Sequence, residues 1–344
     1  MAIPTTTVQY SFPQMGSYEN LVKSEAPTSK IKANDVLVKI HATSLQYRDL
    51  MVSKGIYGTG LPANLVPLSD CAGEVLAVGE DVTGWKKGDR VCPNFSTDHI
   101  HGRTTPAIMA TSLGGQAHGV LTQYRVFPAH SLVAIPAHLS YEEAATLPCA
   151  ALTAYNALHG PVPIKAGDFV LALGTGGVSI FALQFAVAAG ATVIATSSSD
   201  EKLKIAAKYG AKHLINYNTT PNWDEEVLKI TNGEGVDHVG GQGTLAKSIK
   251  SAKTGSGYIH IIGHVSSSEG DPSVIFPLIR GAVTLRGILI GSVAQFNDMN
   301  RLILANPDTT RPVIDKVFTF DEAIAAYAYL ESQKHVGKIV IKVA

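Results

Sequence analysis

Net charge is what this sequence most plainly lacks: 28 Lys and Arg balance 28 Asp and Glu, a formal charge of zero over 344 residues. Nucleic-acid binding by phosphate neutralisation needs clustered positive charge, and none is present, so no nucleic-acid partner is expected. Cysteine is scarce as well. Cys71, Cys92 and Cys149 follow no short pairing pattern, which excludes a disulfide framework. Long apolar runs are missing: the most apolar stretch, from Ile180 to Ala195, is interrupted by Gln184, Gly190 and Thr192 and falls short of a membrane span. The opening Met-Ala-Ile-Pro-Thr-Thr-Thr has no charged-then-apolar secretion layout. No repeat and no low-complexity segment is visible. These absences predict a soluble, cytoplasmic chain with no membrane partner.

What the chain does have is hydrophobic content of 45%, with 32 Gly and 17 Pro, against only 16% charged residues. That is the profile of a large core with many turns, and at roughly 150 residues per domain the length predicts two domains. The first third reads as strands and turns. Val36-Leu-Val-Lys-Ile-His-Ala alternates, and Gly73–Gly79 and Asp89–Cys92 look similar. Residues 93–119 have no period and carry His99, His101 and His118; a loop of this length in a compact domain is functional or mobile. Ser140-Tyr-Glu-Glu143 has the spacing of a capping box. From Phe169 onward, strands alternate with amphipathic helices. The predicted strands are Phe169–Leu173, Thr192–Thr196, His213–Asn216, Val236–Val239, Tyr258–Ile262 and Thr284–Leu289. Helices are predicted at Val178–Ala189, Glu201–Tyr209 and Trp223–Thr231. Such alternation implies a parallel sheet with helices on both faces. A tail helix (Asp321–Ser332) and a final strand (Lys338–Val343) close the chain.

Phe169-Val-Leu-Ala-Leu-Gly174-Thr175-Gly176-Gly177-Val178 passes from strand through glycine turn to helix in ten residues. Glycine lets the backbone reverse and approach a pyrophosphate, and the new helix offers free N–H groups at its positive end. The spacing is Gly-x-Gly-Gly rather than the full dinucleotide fingerprint, so the strand–helix–strand context carries the argument; a plain tight turn is the competing reading. An NAD-preferring site places an acid at the end of the second strand. Here that place reads Thr196-Ser197-Ser198-Ser199-Asp200-Glu201-Lys202, and hydroxyls followed by Lys202 suit the 2′-phosphate of NADPH. Ser198 with Glu201 is also the spacing of a helix cap, with Lys202 solvated.

Six motifs, the glycine turn among them, extend the pattern over nearly the whole chain. They are Ser44-Leu-Gln-Tyr-Arg-Asp-Leu50, Pro67-Leu-Ser-Asp-Cys-Ala-Gly-Glu-Val75, Trp85-Lys-Lys-Gly-Asp-Arg-Val91, Ala144–Tyr155, the glycine turn and His335-Val-Gly-Lys-Ile-Val-Ile341. On these the chain resembles the medium-chain dehydrogenase/reductase superfamily, in its zinc-free quinone-oxidoreductase-like and zinc-type alcohol-dehydrogenase-like branch. The resemblance implies an α/β architecture: a mostly-β GroES-like catalytic domain from residues 1–130 and 292–344, and a Rossmann doubly wound domain from 131–291. It also implies a homodimer paired through Thr284–Leu289, an edge strand that needs covering.

Zinc-dependent relatives hold their ion with a Cys, a His beside a Glu, and usually a further Cys. By alignment those places read Gln46, Ser69 with Asp70, and Cys149 here, and Cys92 stands alone where a structural zinc lobe needs four Cys. One soft ligand of three does not hold zinc, so no metal is expected; His99, His101 and His118 read as solvated loop residues. The resemblance carries cofactor contact to Gln46, Asp49, Thr153, Tyr217, Gly263, His264 and Lys338, beside Gly174, Thr175, Gly176, Gly177, Val178, Ser197, Ser198 and Lys202 from the turn and second strand. Without a metal, hydrogen-bond donors must polarise a substrate carbonyl. Tyr47 is the preferred donor and Arg48 the second, although Tyr47 is equally compatible with packing under the loop and Arg48 with pairing to Asp49. Cys149 reads as a buried small hydrophobe. The expected activity is hydride transfer from NADPH to an α,β-unsaturated carbonyl, a quinone or a related carbonyl compound. One departure keeps a redox-silent alternative open, as a non-redox enzyme on a reactive intermediate or a nucleotide-responsive binder: Val236-Asp-His-Val239 runs straight into Gly240-Gly241-Gln242-Gly243, about three residues shorter than in relatives.

Overall fold

The structure is a computed structural model that describes residues 3–58, 60–240, 245–263 and 274–344. The chain divides into two units, one of Met1–Leu152, Ile290–Leu304 and Arg311–Ala344, the other of Thr153–Leu289 with Ala305–Thr310.

In the first unit, β1 (Thr6–Ser11) and β2 (Val22–Pro27) form an antiparallel pair. Strand β3 (Asp35–Ser44) is the spine of the larger sheet, and its Val36, Val38, Ile40 and Ala42 are fully buried. Helix α1 (Tyr47–Ser53) follows, then β4 (Asp70–Val78) and β5 (Arg90–Pro93). Next come a short helix α2 (Pro106–Met109), β6 (Tyr124–Pro128), β7 (Leu132–Ala134) and α3 (Tyr141–Ala144). The capping box expected at α3 is present: Glu143 N–H donates to Ser140 Oγ, and Ser140 N–H donates to the Glu143 carboxylate. The sequence rhythm sets the first break at 130/131. In the fold the first unit runs through Leu152, and β7 (Leu132–Ala134) pairs with β5 on this sheet.

Residues 93–119 are pinned within this unit. Asn94 donates to the carbonyls of Ser96 and Gly291, and the Ser96 and Ser112 hydroxyls meet at 2.9 Å. Gly119 is needed for a close approach: a Cβ there would lie 2.0 Å from the Leu68 carbonyl oxygen. His99 is buried rather than solvated, with Nε2 2.9 Å from the Gly102 carbonyl, and His118 Nδ1 accepts from Val66 N–H. Each of these two rings thus has one nitrogen held by a local backbone group.

The second unit opens within helix α4 (Leu152–Leu158). It then alternates β8 (Phe169–Leu173), α5 (Gly177–Ala188), β9 (Thr192–Ser197), α6 (Asp200–Lys208), β10 (His213–Asn216) and α7 (Trp223–Ile230). After these come β11 (His238–Gly240), α8 (Leu245–Ser251), β12 (Tyr258–Ile261), α9 (Ile275–Gly281) and β13 (Thr284–Gly287). The order across the sheet is β10-β9-β8-β11-β12-β13, every pair parallel. This is the doubly wound order, whose switch point lies between β8 and β11. Expected and observed strands agree apart from their ends. The fourth is the exception: it begins at His238, and Val236 makes only an isolated bridge to Ala252.

Returning to the first unit, the chain adds α10 (Val293–Ala305), β14 (Ile314–Thr319), α11 (Ala323–Glu331) and β15 (Lys338–Lys342). Strand β15 lies antiparallel to β3 and completes the sheet β14-β15-β3-β4-β5-β7, with β6 also on β3. Among the described residues no helix is long and apolar enough to cross a membrane.

Candidate active site

The register of the first unit's sheet assembles a polar cluster. Ser44 at the end of β3 sits opposite Asp70 on one side and Val340 on the other. Gln46, just past Ser44, thereby meets the start of β4, and Leu45 the start of β15. Asp70, fully buried, accepts through Oδ2 from Gln46 Nε2 at 2.6 Å and from the backbone N–H of Cys149 at 3.0 Å. Its Oδ1 accepts from the Ser69 hydroxyl. Cys149 lies in a π-helical segment, Leu147–Ala151, so its N–H is free to leave the usual helical ladder. Lys338 is also buried, and its Nζ donates to the Leu45 carbonyl.

Helix phase separates the two predicted donors on α1. Tyr47 is 36% exposed, whereas the Arg48 side chain is only 11% exposed and turns into the cluster. Arg48 Nη2 donates to Ser69 Oγ at 2.6 Å, Nη1 lies 3.9 Å from Cys149 Sγ, and the guanidinium stands 4.5 Å from the centre of the Phe95 ring. Asp49 Oδ2 accepts from Gln46 N–H at 2.6 Å, and its Oδ1 lies 3.7 Å from Arg48 Nη2. In this cluster, Arg48 Nε and Asp49 Oδ1 are buried without a hydrogen-bond partner among the described residues.

The electrostatics follow from burial. Desolvation pushes the Asp49 carboxyl up to about 6 against the pull of Arg48, and raises Asp70 against Lys338. Burial likewise depresses Lys338. Burial also opposes the charge on Arg48, yet Asp49 first, and then Cys149, Tyr57 and Asp70, outweigh it and hold the guanidinium charged. The Cys149 thiol is pushed up to about 12 by burial and so stays protonated near neutrality, neither nucleophile nor ready metal ligand. Tyr57 was not legible from sequence; burial raises its phenol, and its ring packs where a Gly115 Cβ would make contact at 3.4 Å.

The three places aligned with zinc ligands do converge, but they do not suit zinc. Gln46 turns its amide N–H toward Asp70, Asp70 has both oxygens occupied, and the third place holds a protonated thiol beside a guanidinium. Among the described residues no three His, Cys, Asp or Glu side chains converge as a metal site.

The second unit holds the other predicted residues. Gly174 follows β8 at φ +80°, a conformation glycine adopts freely. Gly176 is the N-cap of α5, with no capping side chain, and Gly177 and Val178 open the helix. A Cβ at Gly174 or Gly176 would meet nothing within 4 Å, so the turn is an open cradle at the carboxyl end of β8 with uncapped N–H donors. Thr175 and Thr153 are buried. Ser197, Ser198 and Tyr217 converge at the ends of β9 and β10, where Tyr217 N–H donates to the Ser197 carbonyl and Asn218 Nδ2 to that of Ser198. The cap of α6 is Ser199, whose hydroxyl accepts from Lys202 N–H, rather than Ser198. Asp200 accepts from Asn216 Nδ2 at 2.7 Å. Gly263 is exposed just past β12, and His264 lies outside the described residues, as does the loop 241–244 after β11.

Residues 32–137 match the alcohol dehydrogenase GroES-like domain family, and residues 177–305 the zinc-binding dehydrogenase family. The chain is 49% identical over 322 residues to a zinc-type alcohol dehydrogenase-like protein of Schizosaccharomyces pombe, covering 91% of this chain and 92% of the relative. It is 30% identical over 330 residues to the acryloyl-coenzyme A reductase of Metallosphaera sedula, covering 92% and 95%. A crystal structure of a putative alcohol dehydrogenase from Sinorhizobium meliloti superposes with a TM-score of 0.92 at 36% identity, covering 99% of this chain and 100% of that one.

Proposed function

This chain belongs to the medium-chain dehydrogenase/reductase superfamily of nicotinamide-dinucleotide oxidoreductases, in its zinc-type alcohol-dehydrogenase-like branch, and from that premise we propose that it is an NADPH-dependent, metal-free reductase of α,β-unsaturated carbonyls, quinones or related carbonyl compounds. The observation that carries the reading is the open glycine cradle at the switch point, whose uncapped helix end suits a pyrophosphate. The similarity to a reductase named for acryloyl-coenzyme A, an α,β-unsaturated thioester, favours an activated double bond as acceptor.

In this reading Gly174, Thr175, Gly176, Gly177 and Val178 hold the pyrophosphate, and Ser197, Ser198, Lys202 and Tyr217 surround the adenosine ribose. Thr153, Gly263, Gln46, Asp49 and Lys338 keep the cofactor roles that the motifs suggest. When bound, the dinucleotide supplies the hydride. The chain's own part is alignment of the reacting carbons and donation of a hydrogen bond from Tyr47 or Arg48 to the substrate oxygen. Titration followed by cofactor emission tests the cofactor assignment. NADPH is expected to bind ~10–100-fold more tightly than NADH, the value of a charge-assisted phosphate contact, and Lys202→Glu is expected to erase that difference. Equal affinities in the unaltered protein would refute the preference. Tight binding without turnover across a panel of enones, quinones and aldehydes would instead favour the redox-silent alternative.

A homodimer belongs to the same proposal. Strand β13 is the sheet edge, and Leu285 and Leu289 are 38% and 40% exposed, with Phe276 of α9 at 70%. An apolar edge of this kind favours pairing with a second copy. Sedimentation is expected to give twice the 36.3 kDa of one chain, and Leu285→Lys to return a single-chain mass. A monomer at micromolar concentration in the unaltered protein would refute the dimer.

A further inference from the structure

We propose that the guanidinium of Arg48 serves as this chain's fixed catalytic cation, binding the carbonyl oxygen of the substrate at the point where the relatives' ligand places converge, with Ser69 and Asp70 as its positioning residues. The proposal deepens the reductase reading above and rests on it.

Three observations carry it. The guanidinium touches two of the three aligned places, Ser69 Oγ at 2.6 Å and Cys149 Sγ at 3.9 Å, while Asp70 ties the remaining one, Gln46, to the Cys149 backbone. A permanent positive charge thus already sits among side chains that would otherwise face a cation. It is also held from several directions: the Phe95 ring lies 4.5 Å away, Asp49 3.7 Å away, and Ser69 is fixed in turn by its bond to Asp70. Finally, the guanidinium has donor capacity left over. Of its five N–H groups, Nη1 faces only a thiol, a weak acceptor at the far end of bonding range. Tyr47, the neighbouring candidate, is 36% exposed and carries no permanent charge.

The chemistry follows from that charge. As the β-carbon accepts a hydride, the π pair of the double bond shifts and negative charge collects on the carbonyl oxygen. Arg48 holds this enolate oxygen, in a site where burial strengthens the interaction. A proton from solvent then adds to the α-carbon, so that reduced cofactor, enone and one proton become oxidised cofactor and saturated carbonyl compound.

The test compares the unaltered protein with Arg48→Ala, Arg48→Lys, Ser69→Ala and Ser69→Thr, each checked for cooperative unfolding above the assay temperature and for an unchanged NADPH affinity. Arg48→Ala is expected to lower kcat on an enone by about 10²–10³-fold, the cost of losing one oxyanion donor, and Arg48→Lys to restore only part of it. Guanidinium chloride well below denaturing concentration is expected to rescue Arg48→Ala, where equal NaCl does not. Ser69→Ala is expected to lower kcat with KM little changed, and Ser69→Thr to recover it. A kcat within threefold of the unaltered enzyme in Arg48→Ala, or a loss of NADPH binding in that variant, would overturn the proposal. Calorimetric titration with acrylate, whose carboxylate mimics the enolate charge, separates this inference from the reductase reading. Saturable binding that Arg48→Ala abolishes supports the cation even if no acceptor is turned over. Failure of the unaltered protein to bind acrylate counts against it, whatever its activity.

Discussion

Asp70→Ala is expected to cost about 3–5 kcal/mol of stability, the penalty for removing one member of a buried charge network. Asp70 has no exposed surface and satisfies three donors at once: Gln46 Nε2, Cys149 N–H and the Ser69 hydroxyl. Alanine would leave all three unpartnered. It would also remove the carboxylate that supports the charge of buried Lys338. Urea unfolding followed through Trp85, whose Nε1 donates to the Ala129 carbonyl of the same unit, reads this loss directly, best in a Trp223→Phe background. A change below about 0.5 kcal/mol, the range of an ordinary surface substitution, would contradict the buried-network description.

Acidification is expected to destabilise the second unit through a histidine pair that no catalytic argument uses. His238 on β11 and His260 on β12 are each 2% exposed, with Nδ1 of the first 3.1 Å from Nε2 of the second. The shared bond needs one ring to accept, so one must be neutral. Burial, then His238 and Arg286, pushes His260 down to about 3; burial lowers His238 too, against Asp168 and Asp237. In the unfolded chain each titrates near 6.5. The unfolded state therefore binds more protons between pH 6.5 and 3, and stability present above 6.5 is lost progressively as pH falls through that window. At pH 5 the loss from His260 alone is ~2 kcal/mol. Unfolding monitored by buried Trp223 at pH 7.5, 6 and 5 measures it, and His260→Leu is expected to flatten the dependence. Constant stability from pH 7.5 to 5 would refute the neutral-pair assignment.

Neither histidine stood out in the sequence, because Asp-His-Val and Ile-His-Ile look like ordinary strand neighbours until β11 and β12 are laid side by side. The run of Val236–Val239 straight into Gly240-Gly241-Gln242-Gly243, by contrast, was visible as a departure, although residues 241–244 lie outside the described residues. The 93–119 segment shows the opposite mismatch. It has no periodicity, yet specific hydroxyl, amide and imidazole bonds hold it in place.

By itself the sequence determined what depends on near neighbours. The alternation after Phe169, the Gly174–Gly177 turn and the Ser140–Glu143 cap are local patterns, and periodicity and backbone sterics settle them within a few residues. Motif order then fixed the family and its two-part architecture. Tertiary structure alone decided which polar groups meet. Leu45 and Lys338, 293 residues apart, are joined because β15 pairs with β3, and the same register brings Gln46 to Asp70. It also set the different burial of Tyr47 and Arg48. Adjacent residues on a helix point about 100° apart, and only the packing of α1 buried Arg48 and left Tyr47 36% exposed.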